Sequence, residues 1–169
     1  MNETIYFKSP LGLLKMTSED DFLTGLFFAS TEKNGLSEAD LKTTDTPLSS
    51  VLKTATGQLN EYFAGTRMAF GLPLKQKGTD FQQKVWKGLM EIRAGQPVSY
   101  QAFSKNLGDI KAIRAVGTAN GKNNISIIVP CHRVIGSNGS LVGYGGDLWR
   151  KKWLLEHEAK YCNGVQVLF

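Results

Sequence analysis

The chain has 169 residues, 41% of them hydrophobic, with a formal charge of +5 and a sequence pI of about 9.2. That length fits one ordinary domain or two small ones sharing an interface, and the apolar content suffices for a core without a disulfide framework. Two cysteines, Cys131 and Cys162, and two histidines, His132 and His157, exclude a repeated Cys/His zinc pattern and argue against a disulfide-stapled secreted domain. The basic balance favours a polyanionic partner without identifying it. Residues 1–7 lack the charged start and apolar run of a signal peptide, and no apolar stretch approaches membrane-spanning length. A reducing cytoplasm, where a thiol stays free, is the expected setting.

The first half reads as an α+β unit over residues 1–75. Short apolar runs at Thr4–Phe7, Leu11–Met16 and Phe22–Phe28 are split by Ser9-Pro10 and by Ser18-Glu19-Asp20-Asp21, which predicts an antiparallel meander. Lys33–Asp45 is polar and predicts a loop. Thr46 then caps a helix with Pro47 in its first position, and Gly65 closes it. Leu48, Val51, Leu52, Ala55, Leu59, Tyr62 and Phe63 share one face, so this helix is expected to pack on the sheet. These features all serve packing, and no chemistry is legible among them.

Lys75-Gln76-Lys77-Gly78-Thr79 is the predicted linker. Beyond it, Asp80-x-x-Gln83 predicts a capping box for a helix running to about Arg93, stopped by Gly95 and Pro97. A second helix is expected over Ser99–Leu107 and, after a turn at Gly108-Asp109, a third from Ile110 to about Asn120. Two short helices joined by a Gly-containing turn outline a helix-turn-helix, or merely a common αα-hairpin. On the third helix Ile110, Ile113 and Val116 are expected to face inward, with Lys111, Arg114 and Thr118 on the opposite face. Ala115, Gly117 and Ala119 are small, which suits either the approach of a bulky backbone or close helix packing.

Ile125-Ser126-Ile127-Ile128-Val129 predicts a buried strand that ends at Pro130-Cys131-His132-Arg133-Val134. A Gly-rich loop from Gly136 to Gly146 follows, then a basic helix with Trp149 and Trp153. A lone buried cysteine is most often inert packing. Cys131, however, is expected at a strand end beside a flexible loop, where functional groups are usually presented. A water or a bend would let His132 take its proton, and nearby positive charge would lower the thiol pKa. Glu158 is a candidate to orient His132, although its spacing alone favours a surface carboxylate.

Five segments, in this order and spacing, resemble the O6-alkylguanine-DNA alkyltransferases. They are Pro97-Val98-Ser99-Tyr100, Arg114-Ala115-Val116-Gly117, Pro130-Cys131-His132-Arg133-Val134-Ile135-Gly136, Gly143-Tyr144-x-Gly146 and Trp153-Leu154-Leu155-x-x-Glu158. The match is dense from about Thr79 to Glu158 and looser before it, where only the β-rich architecture agrees. The resemblance implies an α+β chain: a small β-rich ribonuclease-H-like domain over 1–75, then a winged helix-turn-helix-like alkyltransferase domain over 79–169. It also implies DNA repair by single-use transfer of an alkyl group from O6 of guanine in double-stranded DNA to Cys131. Activity on O4 of thymine is left open.

By the same resemblance His132 is the base, acting through a water, Glu158 orients it, and Asn123 braces the active-site segment. Tyr100 helps rotate the damaged nucleotide out of the stack and donates to the flipped base, and Val134, Tyr144 and Gly145 line the pocket. Arg114 fills the vacated stack from a helix lying in the minor groove, with Lys111, Ala115, Gly117 and Thr118 beside it. No cofactor is expected. No metal is expected either, because the cysteines and histidines that hold zinc in some animal relatives' first domain are absent here. The protein is expected to act as a monomer, with clustering on DNA left open. Proteins of the alkyltransferase-like group bind alkylated DNA but lack the acceptor cysteine, so the presence of Cys131 disfavours that reading. A non-catalytic damage binder would bind DNA without taking label from it, and a cysteine hydrolase would release more than one equivalent of product. Cys162, past the last matched motif, is expected to be structural or incidental.

Overall fold

In a computed structural model, which describes residues 2–29, 49–141, 144 and 147–164, the chain divides into two units between Gln76 and Lys77. The first unit holds an antiparallel sheet of β1 (Asn2–Ser9), β2 (Gly12–Glu19) and β3 (Phe22–Phe28), in that order. Period-two alternation turns Leu14, Met16 and Ser18 of β2 inward. Asp20 and Asp21, with φ of 51° and 64°, form the mirror-image two-residue turn whose twist matches that of the flanking strands.

Helix α1 (Ser50–Ala64) covers this sheet with Val51, Leu52, Ala55, Leu59 and Tyr62, all buried as the helical spacing predicts. Its cap is Ser49 rather than Thr46. The Ser49 hydroxyl accepts from the Leu52 N–H at 3.4 Å, while Glu3 accepts from the Ser49 N–H and O–H at 3.0 and 2.9 Å. Thr46, Pro47, Leu48 and the Lys33–Asp45 segment lie outside the described residues. Gly65 ends the helix at φ 85°, a left-handed position that glycine adopts without strain.

The second unit begins with α2 (Asp80–Leu89), and its capping box lies one residue before the predicted register. Thr79 Oγ1 accepts from the Gln82 N–H at 3.1 Å, and Gln82 Oε1 accepts from the Thr79 N–H at 2.9 Å. Thr79→Ala is therefore expected to lower stability by about 1 kcal/mol, read as a lower urea midpoint at unchanged slope. The helix stops at Leu89, short of Arg93. The Glu91 and Ile92 N–H groups turn back to the carbonyls of Gly88 and Leu89, and the Ile92 carbonyl accepts from Arg133 Nη1 at 2.7 Å.

Helix α3 (Tyr100–Asn106), capped by Ser99, and α4 (Ile113–Gly121), entered through a 3₁₀ turn at Ile110–Ala112, make the helix-turn-helix outline. Of the three residues expected to face inward from α4, only Val116 does; Ile110 and Ile113 are 44% and 38% exposed. The entry is a 3₁₀ turn with three residues per turn, so the α-helical period behind that expectation does not extend through it. Ala119 is buried, and its carbonyl accepts from the Trp86 indole N–H at 2.9 Å, which locks α4 to α2. That much of the small-residue face is close helix packing. Ala115 stays exposed.

Residues 125–129 do not form the predicted strand. All but the half-buried Ser126 are buried, and the run is wound into turns, with hydrogen bonds from the Ile128 N–H to the Ser126 carbonyl and from the Val129 N–H to the Ile125 carbonyl. Ile127 has φ 70°, a region that β-branched residues rarely enter. Beyond them lie a 3₁₀ turn at Cys131–Arg133, strand β5 (Val134–Ile135) and helix α5 (Leu148–Asn163). Strand β4 (Val98–Ser99) pairs in parallel with β5, Val98 opposite Val134 and Ser99 opposite Ile135. This short ladder brings two distant sequence motifs side by side.

Candidate active site

Pro130 turns the chain into the site. Its φ and ψ of −82° and 65° are those of an inverse γ-turn, closed by the Cys131 N–H on the Val129 carbonyl at 2.8 Å. Asn123 splints the same stretch: Nδ2 donates to the carbonyls of Val129 and Ile125 at 2.8 and 3.2 Å, and Oδ1 accepts from the Ile125 N–H at 3.1 Å. The side chain thus satisfies backbone groups that a strand would have paired with a neighbour. Cys131 consequently heads a 3₁₀ turn instead of ending a strand, and it is 6% exposed.

His132 and Glu158 are both 0% exposed, so Glu158 is no surface carboxylate. Glu158 Oε2 lies 2.9 Å from His132 Nε2, and the Arg133 guanidinium grips both carboxylate oxygens, Nε to Oε1 and Nη2 to Oε2, each at 2.9 Å. Burial alone would push the Glu158 carboxyl up. The His132 ring and the two-pronged Arg133 outweigh it and hold the carboxyl well below the usual range. Burial lowers the His132 pKa, and Arg133 and Lys151 lower it further, against the opposing pull of Glu158. The ring is therefore neutral near pH 7. Its Nε2–H donates to the Glu158 carboxylate, which leaves the lone pair on Nδ1, a buried atom with no hydrogen-bond partner among the described residues. That is the tautomer a proton acceptor requires.

The Cys131 thiol departs from expectation. Burial pushes its pKa up, and the lowering contributions of Asn123 and Lys151 do not reverse this. At rest the group is a thiol, and a thiol must lose its proton before it can serve as a nucleophile. Lys151 is a residue that the motifs left unassigned. It is fully buried, donates from Nζ to the Val134 carbonyl at 2.7 Å, and has its pKa lowered by burial to about 8. It stands seven positions before Glu158 on α5, two turns along one helical face, and that spacing was the available sign in the sequence. Arg133 was visible beside His132, but its grip on Glu158 was not.

Tyr100, the first residue of α3, is placed at the site by the β4–β5 ladder. Its hydroxyl accepts from Asn120 Nδ2 at 3.1 Å, and its ring lies 5.8 Å below the Lys151 ammonium. Burial raises its pKa, with a smaller upward contribution from Cys131. Val134 is fully buried, and the Tyr144 hydroxyl is buried beside Ser126, with its pKa pushed well up by burial. Gly145 lies outside the described residues. Lys111, Arg114, Ala115 and Thr118 are exposed on the 3₁₀–α4 segment, although the Thr118 hydroxyl is already engaged with the Arg114 carbonyl at 3.1 Å. Gly117 is half-buried, and a Cβ there would sit 4.0 Å from the Tyr100 ring, an ordinary contact, so no close approach requires glycine at this point. Cys162 is exposed near the end of α5. No helix among the described residues is long and apolar enough to cross a membrane.

Comparison with known proteins bears on both units. The ribonuclease-like domain of the 6-O-methylguanine DNA methyltransferases matches residues 3–76, and the DNA-binding domain of the same proteins matches residues 80–160. A constitutive methylated-DNA–protein-cysteine methyltransferase of Bacillus subtilis is 45% identical over 147 residues, covering 87% of this chain and 88% of its own. The methylated-DNA–protein-cysteine methyltransferase of Mycobacterium tuberculosis is 45% identical over 161 residues, 95% of this chain and 94% of its own. A crystal structure of Mycobacterium tuberculosis OGT in complex with DNA superposes with a TM-score of 0.80 at 41% identity, over 94% of this chain and 93% of that one. With both domain families matched in order over nearly its whole length, this chain belongs to the 6-O-methylguanine DNA methyltransferase family.

Proposed function

We propose that this protein repairs double-stranded DNA by moving an alkyl group from O6 of guanine to Sγ of Cys131, once per molecule and without cofactor or metal. The observation that carries the reading is the buried neutral His132, oriented by Glu158, in the residue next to a buried thiol. The target atom is stacked inside the duplex, so the nucleotide must first be flipped out at a cost of roughly a few kcal/mol. Arg114 fills the gap left in the stack, with Lys111, Ala115, Gly117 and Thr118 alongside it against the DNA backbone. Val134, Tyr144 and Gly145 enclose the extruded base. His132 Nδ1 then takes the thiol proton through a water, the thiolate attacks the alkyl carbon, the S–C bond forms, and the C–O6 bond breaks. Tyr100 supplies a proton to the departing guanine and is reprotonated through solvent by the proton His132 took up, so that the net change is one proton moved from the thiol to the base. Lys151 stabilises negative charge next to the sulfur. The product thioether has no leaving group, and the protein is consumed. It acts as a monomer in a reducing cytoplasm.

The direct test is incubation with duplex DNA carrying an isotopically labelled O6-methylguanine, followed by mass analysis of the protein. The expected result is one methyl group per molecule, on the peptide containing Cys131. More than one equivalent removed per molecule, label on Cys162, or dependence on added metal would overturn the proposal. A second expected result isolates flipping from chemistry. Arg114→Ala and Arg114→Lys should both slow repair of duplex DNA markedly, since lysine keeps the charge but lacks the planar group that stacks between bases. Both should react near normally with a free O6-alkylguanine base. Wild-type duplex repair by Arg114→Lys would reduce Arg114 to a phosphate contact.

A further inference from the structure

We propose that Asn120 is a positioning residue for the alkyl-transfer step: its side-chain amide holds the Tyr100 oxygen as an acceptor and so directs the phenolic proton toward the flipped base. The inference rests on the function proposed above. Asn120 sits in the last turn of α4 and is 2% exposed. Its Nδ2 donates to Tyr100 Oη at 3.1 Å and to the Cys131 carbonyl at 3.3 Å.

The second contact fixes the orientation of the amide. A carbonyl oxygen accepts and never donates, so the group facing Cys131 must be the amide nitrogen, because Oδ1 there would set lone pair against lone pair. Tyr100 Oη faces the same nitrogen and is therefore an acceptor in this contact. A phenol has one proton, and here that proton points away from Asn120 and is available to a substrate. The two contacts also tie the proton donor to the backbone of the nucleophile, which keeps both groups in one fixed relation.

The other end of the amide argues against simple packing. Oδ1 of Asn120 is buried with no hydrogen-bond partner among the described residues. Leucine, with the same side-chain branching, would remove this stranded oxygen but also both donations from Nδ2, so an asparagine here is costly unless its donor is needed. Asn120 belongs to none of the motifs that identify the family in the sequence.

The test is a double-mutant cycle on the free O6-alkylguanine base, which needs no flipping, measured as single-turnover rates of the full-length protein. Asn120→Ala and Asn120→Leu should each slow transfer about tenfold, part of the roughly 10²–10⁴-fold that a positioned proton donor supplies. In the Tyr100→Phe background the same substitutions should change the rate less than about twofold, because the group they act through is gone. With isotope-labelled tyrosine, the Tyr100 ring carbon bearing the hydroxyl should shift in both Asn120 variants while the melting temperature of Asn120→Leu stays near wild type. Equal slowing in the wild-type and Tyr100→Phe backgrounds, or no slowing in either, would overturn the inference. Failure of the wild-type protein to accept any alkyl group would overturn the functional reading instead, so the two failures are distinguishable.

Discussion

Cys131→Ser is expected to give a folded protein that binds alkylated duplex DNA with nearly the wild-type affinity and takes no alkyl group from it. The change is almost isosteric and lies at a buried position, so the turn at Pro130 and the exposed face of α4 should be undisturbed. What disappears is the nucleophile. His132 is a neutral imidazole whose proton affinity is reduced by burial. Such a base can take a proton from a thiol, whose ordinary pKa is about 8.5, but not usefully from an unactivated alcohol. Gel-shift binding and mass analysis on the same preparation separate the two properties. Label on the serine variant would mean that another residue is the acceptor, whereas loss of both binding and transfer would assign Cys131 to the fold. Cys162→Ser is the companion control and should transfer normally.

Glu158→Gln should damage both stability and chemistry. The carboxylate is shared between the His132 ring and the Arg133 guanidinium, and all three groups are buried. Removing its charge strands Arg133, and breaking a buried pair from one side typically costs about 3–5 kcal/mol. The amide also presents a donor as well as an acceptor, so it no longer enforces the tautomer that frees His132 Nδ1. Transfer should slow by about 10²–10⁴-fold. The loss should be equal on duplex DNA and on the free base, because the defect lies in activating the thiol. Arg114 variants, by contrast, should fail only on the duplex.

The pH dependence of stability gives an independent check on the same trio. Glu158 titrates lower in the folded than in the unfolded chain, so its contribution is fully present above its unfolded pKa of about 4.3 and is lost as pH falls below it. His132 also titrates low when folded, so the unfolded chain binds its proton first, and stability falls as pH drops through about 6.5. Wild-type protein should therefore lose stability toward acid in two stages, visible in urea midpoints measured across pH. Glu158→Gln should keep the upper stage and lose the contribution of this carboxylate to the lower one. An unchanged fall below about pH 4.3 would show that the lower stage belongs to other carboxylates.

Much of this protein could be read from local pattern, and the reason is physical. The strand alternation of β2, the apolar face of α1 and the glycine at its end are short-range features set by neighbours a few residues away. The motifs around Cys131 were legible in another way, through the resemblance of their order and spacing to the alkyltransferases. The misreadings occurred where a side chain, near or distant, supplied a partner that hydrophobic periodicity does not register. A run of isoleucines and valine has the composition of a strand, yet it is wound into turns because the Asn123 side chain takes up its carbonyls. Helix α2 stops at Leu89, and the carbonyl of Ile92 beyond it is occupied by Arg133, 41 residues away. Glu158 looked like a surface residue on a basic helix until folding enclosed it with His132 and Arg133. Neighbouring residues thus specified most of the helices and the first sheet, and the resemblance of the motifs singled out Cys131 as the candidate nucleophile. The protonation states of Cys131 and His132, the burial of Lys151 and the hydrogen bond from Asn120 to Tyr100 depended on tertiary structure. Each is created by burial and by partners 11 to 26 residues away or more, which no local periodicity encodes.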